Sequence, residues 1–337
     1  MLEWLTIGAA VGTVAGSFGA RGWLLELASH FRAQYALTLL IASTALAWTR
    51  QDGLAALTGG LALANVAYLW PDCRGGLSPR PASPRHAPSP GRVPQTYRLL
   101  VMNVFLWNRA SGRILELLRR ISPDLCLILE PTPALMRALE PAREAYPFAK
   151  DVARDDGNGL VLLSRLPLEG VEVREIGRKR LPAIIARLRL AGRPLTLIGL
   201  HPHSPLSPWR AASRNEQLLA AARLAAEQAG AVIVAGDLNV SPWSPVFRET
   251  LRASRLRDSR LGFGLQPTWP AWLPAPLRIP IDHCLVSAQV AVHRRQVGTG
   301  IGSDHLPVIL EFSLDDRNRC QTPFKAGKVS DTVCRVS

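Results

Sequence analysis

The chain has 337 residues, 40 of them Lys or Arg against 26 Asp or Glu, for a formal net charge of +14. That length holds a full catalytic domain plus a second region, and the basic balance calls for an anionic partner without choosing among nucleic acid, lipid and small phosphates. Cys73, Cys126, Cys284, Cys320 and Cys334 form an odd set with no paired short spacing, which speaks against a zinc site and a disulfide framework.

The charge is unevenly spread. In residues 1–71, Arg21, Arg32 and Arg50 cancel Glu3, Glu26 and Asp52. Uncharged runs of 17, 17 and 19 residues occupy positions 4–20, 33–49 and 53–71. Each lies near the lower limit for crossing a hydrocarbon core, and three in succession predict three transmembrane helices. Residues 22–31 place apolar side chains at helical spacing beside a thin polar stripe, which predicts a short interfacial helix. Trp4, Trp23, Tyr35, Trp48, Tyr68 and Trp70 lie near run ends, as an aromatic belt would. Arg21, Arg32, Arg74, Arg80 and Arg85 would share one side of such a membrane with the rest of the chain, which by the positive-inside rule favours the cytoplasm.

Residues 72–96 turn abruptly to Pro, Arg, Ser and Gly, a composition unable to bury a core. They read as a linker and domain boundary. From 97 to 313 apolar strand-like runs alternate with helical patterns: strands near 97–104, 125–130, 159–164, 183–190 and 195–201, a helix at 209–228, a strand at 231–237, a helix at 242–253, and final strands at 281–286, 291–297 and 306–312. Hairpins mixed among helices predict a two-sheet sandwich flanked by helices rather than an all-parallel sheet. Residues 314–337 lack apolar periodicity and read as a loose tail.

Gly236-Asp237-Leu238-Asn239 follows the β-branched run from Ala231 to Ala235. Side chains alternate along a strand, so Asp237 and Asn239 project together from its carboxyl end. The same tetrapeptide is ordinary turn chemistry, but it does not stand alone. Asn103, Glu130, His201, Asp282-His283 and Ser303-Asp304-His305 also fall at predicted strand ends, in a domain whose strands carry little else that is polar.

In order, Met102-Asn103-Val104, Leu129-Glu130, Leu163-Ser164-Arg165, Gly199-Leu200-His201, Gly236-Asp237-Leu238-Asn239, Ile281-Asp282-His283 and Gly302-Ser303-Asp304-His305-Leu306-Pro307 form a pattern that resembles the endonuclease/exonuclease/phosphatase superfamily over residues 97–313. The resemblance implies an α+β fold, a four-layered α/β/β/α sandwich, with phosphate-ester hydrolysis as its activity. With the amino-terminal runs it is similar to bacterial membrane-anchored members, which implies the inner membrane and an extracytoplasmic catalytic domain, against the positive-inside reading. Leu129 departs from the Gln that many relatives carry before the metal-binding Glu.

Hard carboxylate ligands suit Mg²⁺, or Mn²⁺ in its place. Glu130, with Asn103 and Asp304, is the expected ligand set. Asp237 is expected to orient or deprotonate the attacking water and Asn239 to donate to a phosphoryl oxygen. His305 would contact the phosphate, with Asp282 holding its tautomer. His201 is similar in position to the phosphate-binding or proton-donating His of the nuclease branch, and Arg165 is the expected substrate contact from the Leu-Ser-Arg segment. His203 reads as a bystander, and His283 faces away from Asp282. Arg178-Lys179-Arg180 and His293-Arg294-Arg295 read as solvated surface. Residues 267–280, with Trp269 and Trp272, form an apolar, proline-stiffened loop that either packs on its own domain or meets acyl chains. The expected substrate is a membrane lipid or lipid-linked phosphate. A membrane-anchored nuclease is the alternative, and a phosphate-binding scaffold that lost turnover is a third reading.

Overall fold

The computed structural model describes residues 2–73 and 95–314, so the expectations for most of the linker and for the tail lie outside the described residues. The amino-terminal region contains α1 (Leu2–Ser17), α2 (Trp23–Ala28), α3 (Arg32–Trp48) and α4 (Asp52–Cys73). Among the described residues one helix, over Asp52–Trp70, is long and apolar enough to cross a membrane. This corrects the expectation of three spans. α1 and α3 have 16 and 17 residues, and at 1.5 Å per residue both fall short of the ~30 Å of hydrocarbon. The apolar run at 4–20 overestimates α1 because the helix stops at Ser17, where the chain passes into a 3-10 turn over Gly19–Arg21. A short helix forms within the predicted stretch 22–31, as α2 followed by a 3-10 turn over Ser29–Phe31. Its polar stripe, Glu26, Ser29 and His30, is buried in protein rather than turned to water.

The larger region runs β1 (Tyr97–Asn103), α5 (Ser111–Ile121), β2 (Leu125–Leu129), α6 (Pro133–Ala138), β3 (Phe148–Val152), β4 (Leu160–Ser164), β5 (Leu168–Ile176), β6 (Leu181–Leu190), β7 (Arg193–Leu200), α7 (Pro208–Ala226), β8 (Ala231–Asp237), α8 (Pro245–Ser254), β9 (Arg257–Asp258), β10 (Asp282–Val286), β11 (Val290–Val297) and β12 (Val308–Leu314). Two six-stranded sheets form, in the orders β11-β12-β1-β2-β4-β3 and β5-β6-β7-β8-β10-β9. Most neighbours are antiparallel, but β1 pairs β2 and β7 pairs β8 in parallel, across the helices α5 and α7. Ser207 caps α7 by accepting the Arg210 N–H, and Ser244 caps α8 through Val246 N–H, each with Pro at the first helical position.

Strand alternation sends one set of apolar residues between the sheets and the other outward. Leu99, Leu127, Leu162, Leu197, Ile233 and Leu310 belong to the inner layer. Outer faces pack Leu100, Met102 and Ile128 on Ile114 and Leu117 of α5, and Ile198, Val232 and Val234 on Leu218 and Leu224 of α7. The result is the expected α/β/β/α order of layers. Truncating one inner leucine to Ala would cost about 2–5 kcal/mol. Strands in the middle of both sheets, such as β2 and β8, are largely apolar on both faces, so polar residues at their ends stand out.

The helical region is bolted to the sandwich. The Glu26 carboxylate accepts from Arg214 Nη2 at 2.6 Å and from Ser244 Oγ at 2.6 Å, with the Arg214 and Glu26 side chains 0 % and 3 % exposed. Burial pushes the His30 pKa down to about 4, and the neutral ring accepts the Ser241 N–H at Nδ1. Gln34 Nε2 donates to the carbonyls of Pro276 and Arg278, both at 2.9 Å.

Candidate active site

Parallel pairing places the site. In the β1–β2 register Asn103 is opposite Leu129, so Asn103 and Glu130 leave their sheet together. In the other sheet His201 follows β7 while Asp237 ends β8, and Asp282, the first residue of β10, is Asp237's direct antiparallel partner. Gly236 sits at φ 151, and a Cβ there would run into the carbonyl oxygen of Leu200, so the residue before Asp237 must be glycine.

The side chains converge. Asn103 Nδ2 donates to Glu130 Oε1 at 2.8 Å and to Asp237 Oδ2 at 3.1 Å, tying the two sheets at their polar ends. Glu130 Oε2 accepts the Leu106 N–H at 3.0 Å. His201 Nδ1 lies 3.2 Å from the Gly157 carbonyl and Nε2 lies 3.6 Å from Glu130 and 3.5 Å from Asp237. Asp237 Oδ1 accepts the Asn239 N–H at 3.0 Å, and Asn239 Nδ2 is held by the Pro202 carbonyl at 3.0 Å. His305 places Nδ1 2.9 Å from Asp282 Oδ2 and Nε2 3.5 Å from Asp237 Oδ2. Phe105, Glu130 and Asn239 all adopt left-handed backbone, at φ 63, 59 and 51. Such conformations cost on the order of 1–3 kcal/mol for non-glycine residues and gather where function requires them.

Burial and pairing set the charges. Burial opposes ionisation of Asp237, but His305 and His201 beside it hold its pKa at about 2. Burial likewise opposes the charge on His305, yet Asp282 and Asp237 raise it to about 10, so the ring is an imidazolium at neutral pH. Burial also works against the charge on His201, and Asp237 and Glu130 outweigh it to raise the pKa. Asp282 is raised by burial, against the pull of His305. The site therefore sets three carboxylates, Glu130, Asp237 and Asp282, against two imidazole donors, with Asp237 and Asp282 buried and Glu130 partly open.

Asn103, Glu130, His201, Asp237, Asn239, Asp282 and His305 are brought together as expected. Asp304 is adjacent, but its Oδ2 accepts the Trp269 indole N–H at 3.1 Å. Trp269 packs against His305 at 6.5 Å between ring centroids, while Trp272 is 69 % exposed beyond it. Arg165 is a correction. It follows the end of β4 that pairs with Leu125, whereas the site lies at the Leu129 end; its N–H bonds the Asp124 carbonyl and its guanidinium covers Tyr146. A five-residue strand of about 17 Å separates it from the chemistry. His203 bonds Ser213 Oγ at 3.0 Å outside the cluster, and His283 turns away to the Val240 carbonyl, as expected of both.

Arg295 overturns the solvated-surface reading of its cluster. It is 2 % exposed and donates to the Asp282 carbonyl at 2.9 Å. Thr268, fully buried, meets the N–H groups of Ile281 and Asp282 at 3.4 Å. Arg214 reaches the site from behind by donating to the Asn239 carbonyl at 2.8 Å. None of these three carries a local motif; only the fold identifies them.

One cluster of three groups and two further oxygen donors bear on cation binding. Ligand atoms of Asp237, Asp282 and His305 lie within 4.8 Å of one another. Within that cluster, His305 Nδ1 is already taken by Asp282 Oδ2 at 2.9 Å. The Glu130 carboxylate, partly open at 17 % exposure, and the buried, unpartnered Oδ1 of Asp304 are hard oxygen donors that fit a divalent ion. Asn103 turns its NH₂ to the carboxylates and its Oδ1 to the Phe105 N–H, so it acts as a clamp on Glu130 rather than as a ligand in this orientation.

The model of the Endonuclease/Exonuclease/phosphatase family matches residues 100–305. Among solved structures, D. rerio TDP2 complexed with single strand DNA product is similar at 18% identity and TM-score 0.55, over 65% of this chain and 99% of that one. The endonuclease/exonuclease/phosphatase from Bacteroides vulgatus is similar at 17% identity and TM-score 0.53, over 66% and 100%. Sphingomyelinase C from Streptomyces griseocarneus is also similar, at 19% identity and TM-score 0.46, over 64% and 99%. No curated protein matches this chain.

Proposed function

The chain belongs to the endonuclease/exonuclease/phosphatase family of phosphodiester hydrolases, and from that premise we propose that it is a membrane-anchored, divalent-metal-dependent phosphoesterase acting on a membrane lipid or lipid-linked phosphate. The single observation that carries the chemistry is the convergence of Glu130, His201, Asp237, Asn239 and the His305–Asp282 pair at one end of two facing sheets.

Asp237, ionised well below neutral pH, takes up the proton of an attacking water while Asn239, His201 and the His305 imidazolium supply donors for phosphoryl oxygens. The water oxygen forms the new P–O bond as the ester P–O bond breaks. His201 stands placed to protonate the leaving oxygen, with its other nitrogen fixed by Gly157. Asp282 keeps the His305 ring oriented and charged. Mg²⁺ or Mn²⁺ held by Glu130 and Asp304 would supply charge neutralisation at the phosphate.

Two observations favour the lipid. Leu5, Val11, Leu40, Ile41, Leu57 and Leu63 of the helical region are exposed, the arrangement of a bundle that faces hydrocarbon, with α4 crossing and α1 and α3 packed beside it. Trp272 and Leu277 expose apolar surface on the loop that touches Asp304 and His305. A site so tethered samples lipid head groups at high effective concentration. The test is the full chain in liposomes of long-chain phospholipid, assayed for phosphate-ester cleavage with Mg²⁺ or Mn²⁺. Metal-dependent cleavage that Asp237→Asn abolishes is expected. Activity that survives exhaustive EDTA treatment overturns the metal assignment, and clean protein that binds phosphate but turns over neither lipid nor generic phosphodiesters is a scaffold.

A further inference from the structure

A cavity of about 350 Å³ lies on the seam between the helical region and the sandwich. Ala33, Leu37 and Leu69 of α3 and α4 form one wall, and Trp243, Pro267 and Pro276 of the sandwich form the other. Its volume falls within the range of small-ligand pockets. Its one charged lining residue, Arg278, has its guanidinium taken up by the carbonyls of Leu273 and Ala271, at 2.6 and 2.9 Å. The lining therefore offers a ligand mostly hydrocarbon, with its one cation already engaged by carbonyls.

The two walls are held in register. Gln34, next to Ala33, donates to the carbonyls of Pro276 and Arg278, so α3 is tied to the loop across the cavity. Behind it, Glu26 with Arg214 and Ser244, and His30 with Ser241, fix the strap from Val240 to Pro245 that carries Trp243. A gap between loosely apposed surfaces would close; this one is braced by buried polar contacts on either side.

Two other features border the cavity. Leu37 both lines it and is 44 % exposed, and Leu40 and Ile41, one helical turn further along, extend the same outward apolar stripe. At the opposite end Pro267 is two residues from Trp269, whose indole bonds Asp304, and the Thr268 carbonyl accepts the Leu306 N–H beside His305. The cavity thus lies between the outer apolar surface of the helices and the loop that borders the catalytic cluster.

We propose that this cavity holds an acyl chain of the phospholipid whose phosphate ester is hydrolysed, so that the helical region is part of the substrate site and not merely an anchor. The proposal rests on the lipid reading of the active site and adds where the chain is gripped. Apart from the carbonyl-bound Arg278 the walls are apolar and suit a hydrocarbon chain, and one entering from the α3 surface would direct its head group toward His305.

The test uses the full chain in detergent micelles with a series of phospholipids of increasing acyl length, and wild type beside Ala33→Phe and the milder Ala33→Val. For wild type, kcat/KM is expected to rise with chain length and then level off. Ala33→Phe is expected to lower the long-chain to short-chain ratio of kcat/KM at least tenfold, with Ala33→Val between. A binding measurement that needs no turnover accompanies it: micelles containing a lipid brominated along its acyl chain should quench the Trp243 component of fluorescence, obtained by difference against Trp243→Phe. Lipid hydrolysis with a length profile untouched by either Ala33 variant overturns the cavity assignment and leaves the lipid phosphoesterase standing. Absence of lipid turnover, with generic phosphodiesters still cleaved, overturns both. A cavity that excludes the brominated chain at every length is filled by protein, and the proposal falls.

Discussion

The two regions of the molecule differ in what they expose and in where they bury polar groups. In the sandwich, Leu99, Leu127, Leu197 and Ile233 lie wholly inside, and the buried groups Asn103, Asp237, Asp282 and His305 meet at one end as the candidate catalytic cluster. In the helical region, Leu40, Leu57, Leu63 and Trp48 are outside, while Thr13, Arg32 and Asn65 are inside and bonded to one another. Water would favour the reverse. Polar groups turned inward with apolar groups outward suit a bundle surrounded by lipid, where polar side chains hold helices together. The lesson is that burial reports the solvent as much as the fold. At the seam, each region supplies polar groups that only the other satisfies.

The largest expected effects come from the polar end of the sandwich. Asp237→Asn and His305→Ala should each lower kcat by about a thousandfold or more with the folded domain retained, since both remove groups that act mainly in the transition state. Kinetics beside a thermal melt check this, and an equal loss from His203→Ala would show that the wrong histidine was chosen.

Next in size is the seam. Arg214→Ala strands the buried Glu26 carboxylate, and breaking a buried pair costs about 3–5 kcal/mol. The expected readout is a lower melting temperature of the micelle-held full chain. A double Glu26→Gln, Arg214→Gln variant should lose less than the sum of the single substitutions. Strict additivity would mean that the regions do not couple through this pair.

A smaller effect is expected at Asp282, whose replacement by Asn removes one of the two carboxylates that keep His305 charged. The folded pKa of His305 lies above its ordinary value, so its pairing contributes stability in full below about 6.5 and loses it as pH rises toward about 10. Asp282→Asn should move that alkaline loss to lower pH, and kcat should fall by roughly 10- to 100-fold. Stability measured across pH 6 to 10 checks the direction, and an unshifted profile contradicts the pairing. Smallest is Arg165→Ala, expected to change kcat/KM by less than about threefold, since its guanidinium lies over Tyr146 at the far end of β4.

The catalytic cluster was legible because its residues end apolar strands, and a carboxylate or imidazole there is conspicuous against runs such as Ala231 to Ala235. Arg165 misled for the same reason: it too follows a strand, but β4 runs antiparallel to β2, and strand direction is not written locally. β5 was missed because Glu169, Glu172, Arg174 and Glu175 give it the charged look of an edge strand. Arg295, Arg214 and Glu26 could not be found, since a charge that will be buried by a partner far along the chain looks like any surface charge. The first helical run reads past the end of α1 because uncharged composition does not reveal where a helix stops.

The most direct measurement pits the substrates that the two readings demand against each other. The full chain, reconstituted in liposomes with Mg²⁺, is given long-chain phospholipid in the bilayer and single- and double-stranded DNA in solution, and kcat/KM is measured for each. The expected result is lipid cleavage with DNA slower by at least a hundredfold, and a loss of lipid cleavage in Trp272→Ala. DNA cleaved as fast as lipid or faster, with lipid turnover indifferent to Trp272, would contradict the account and make the molecule an anchored nuclease.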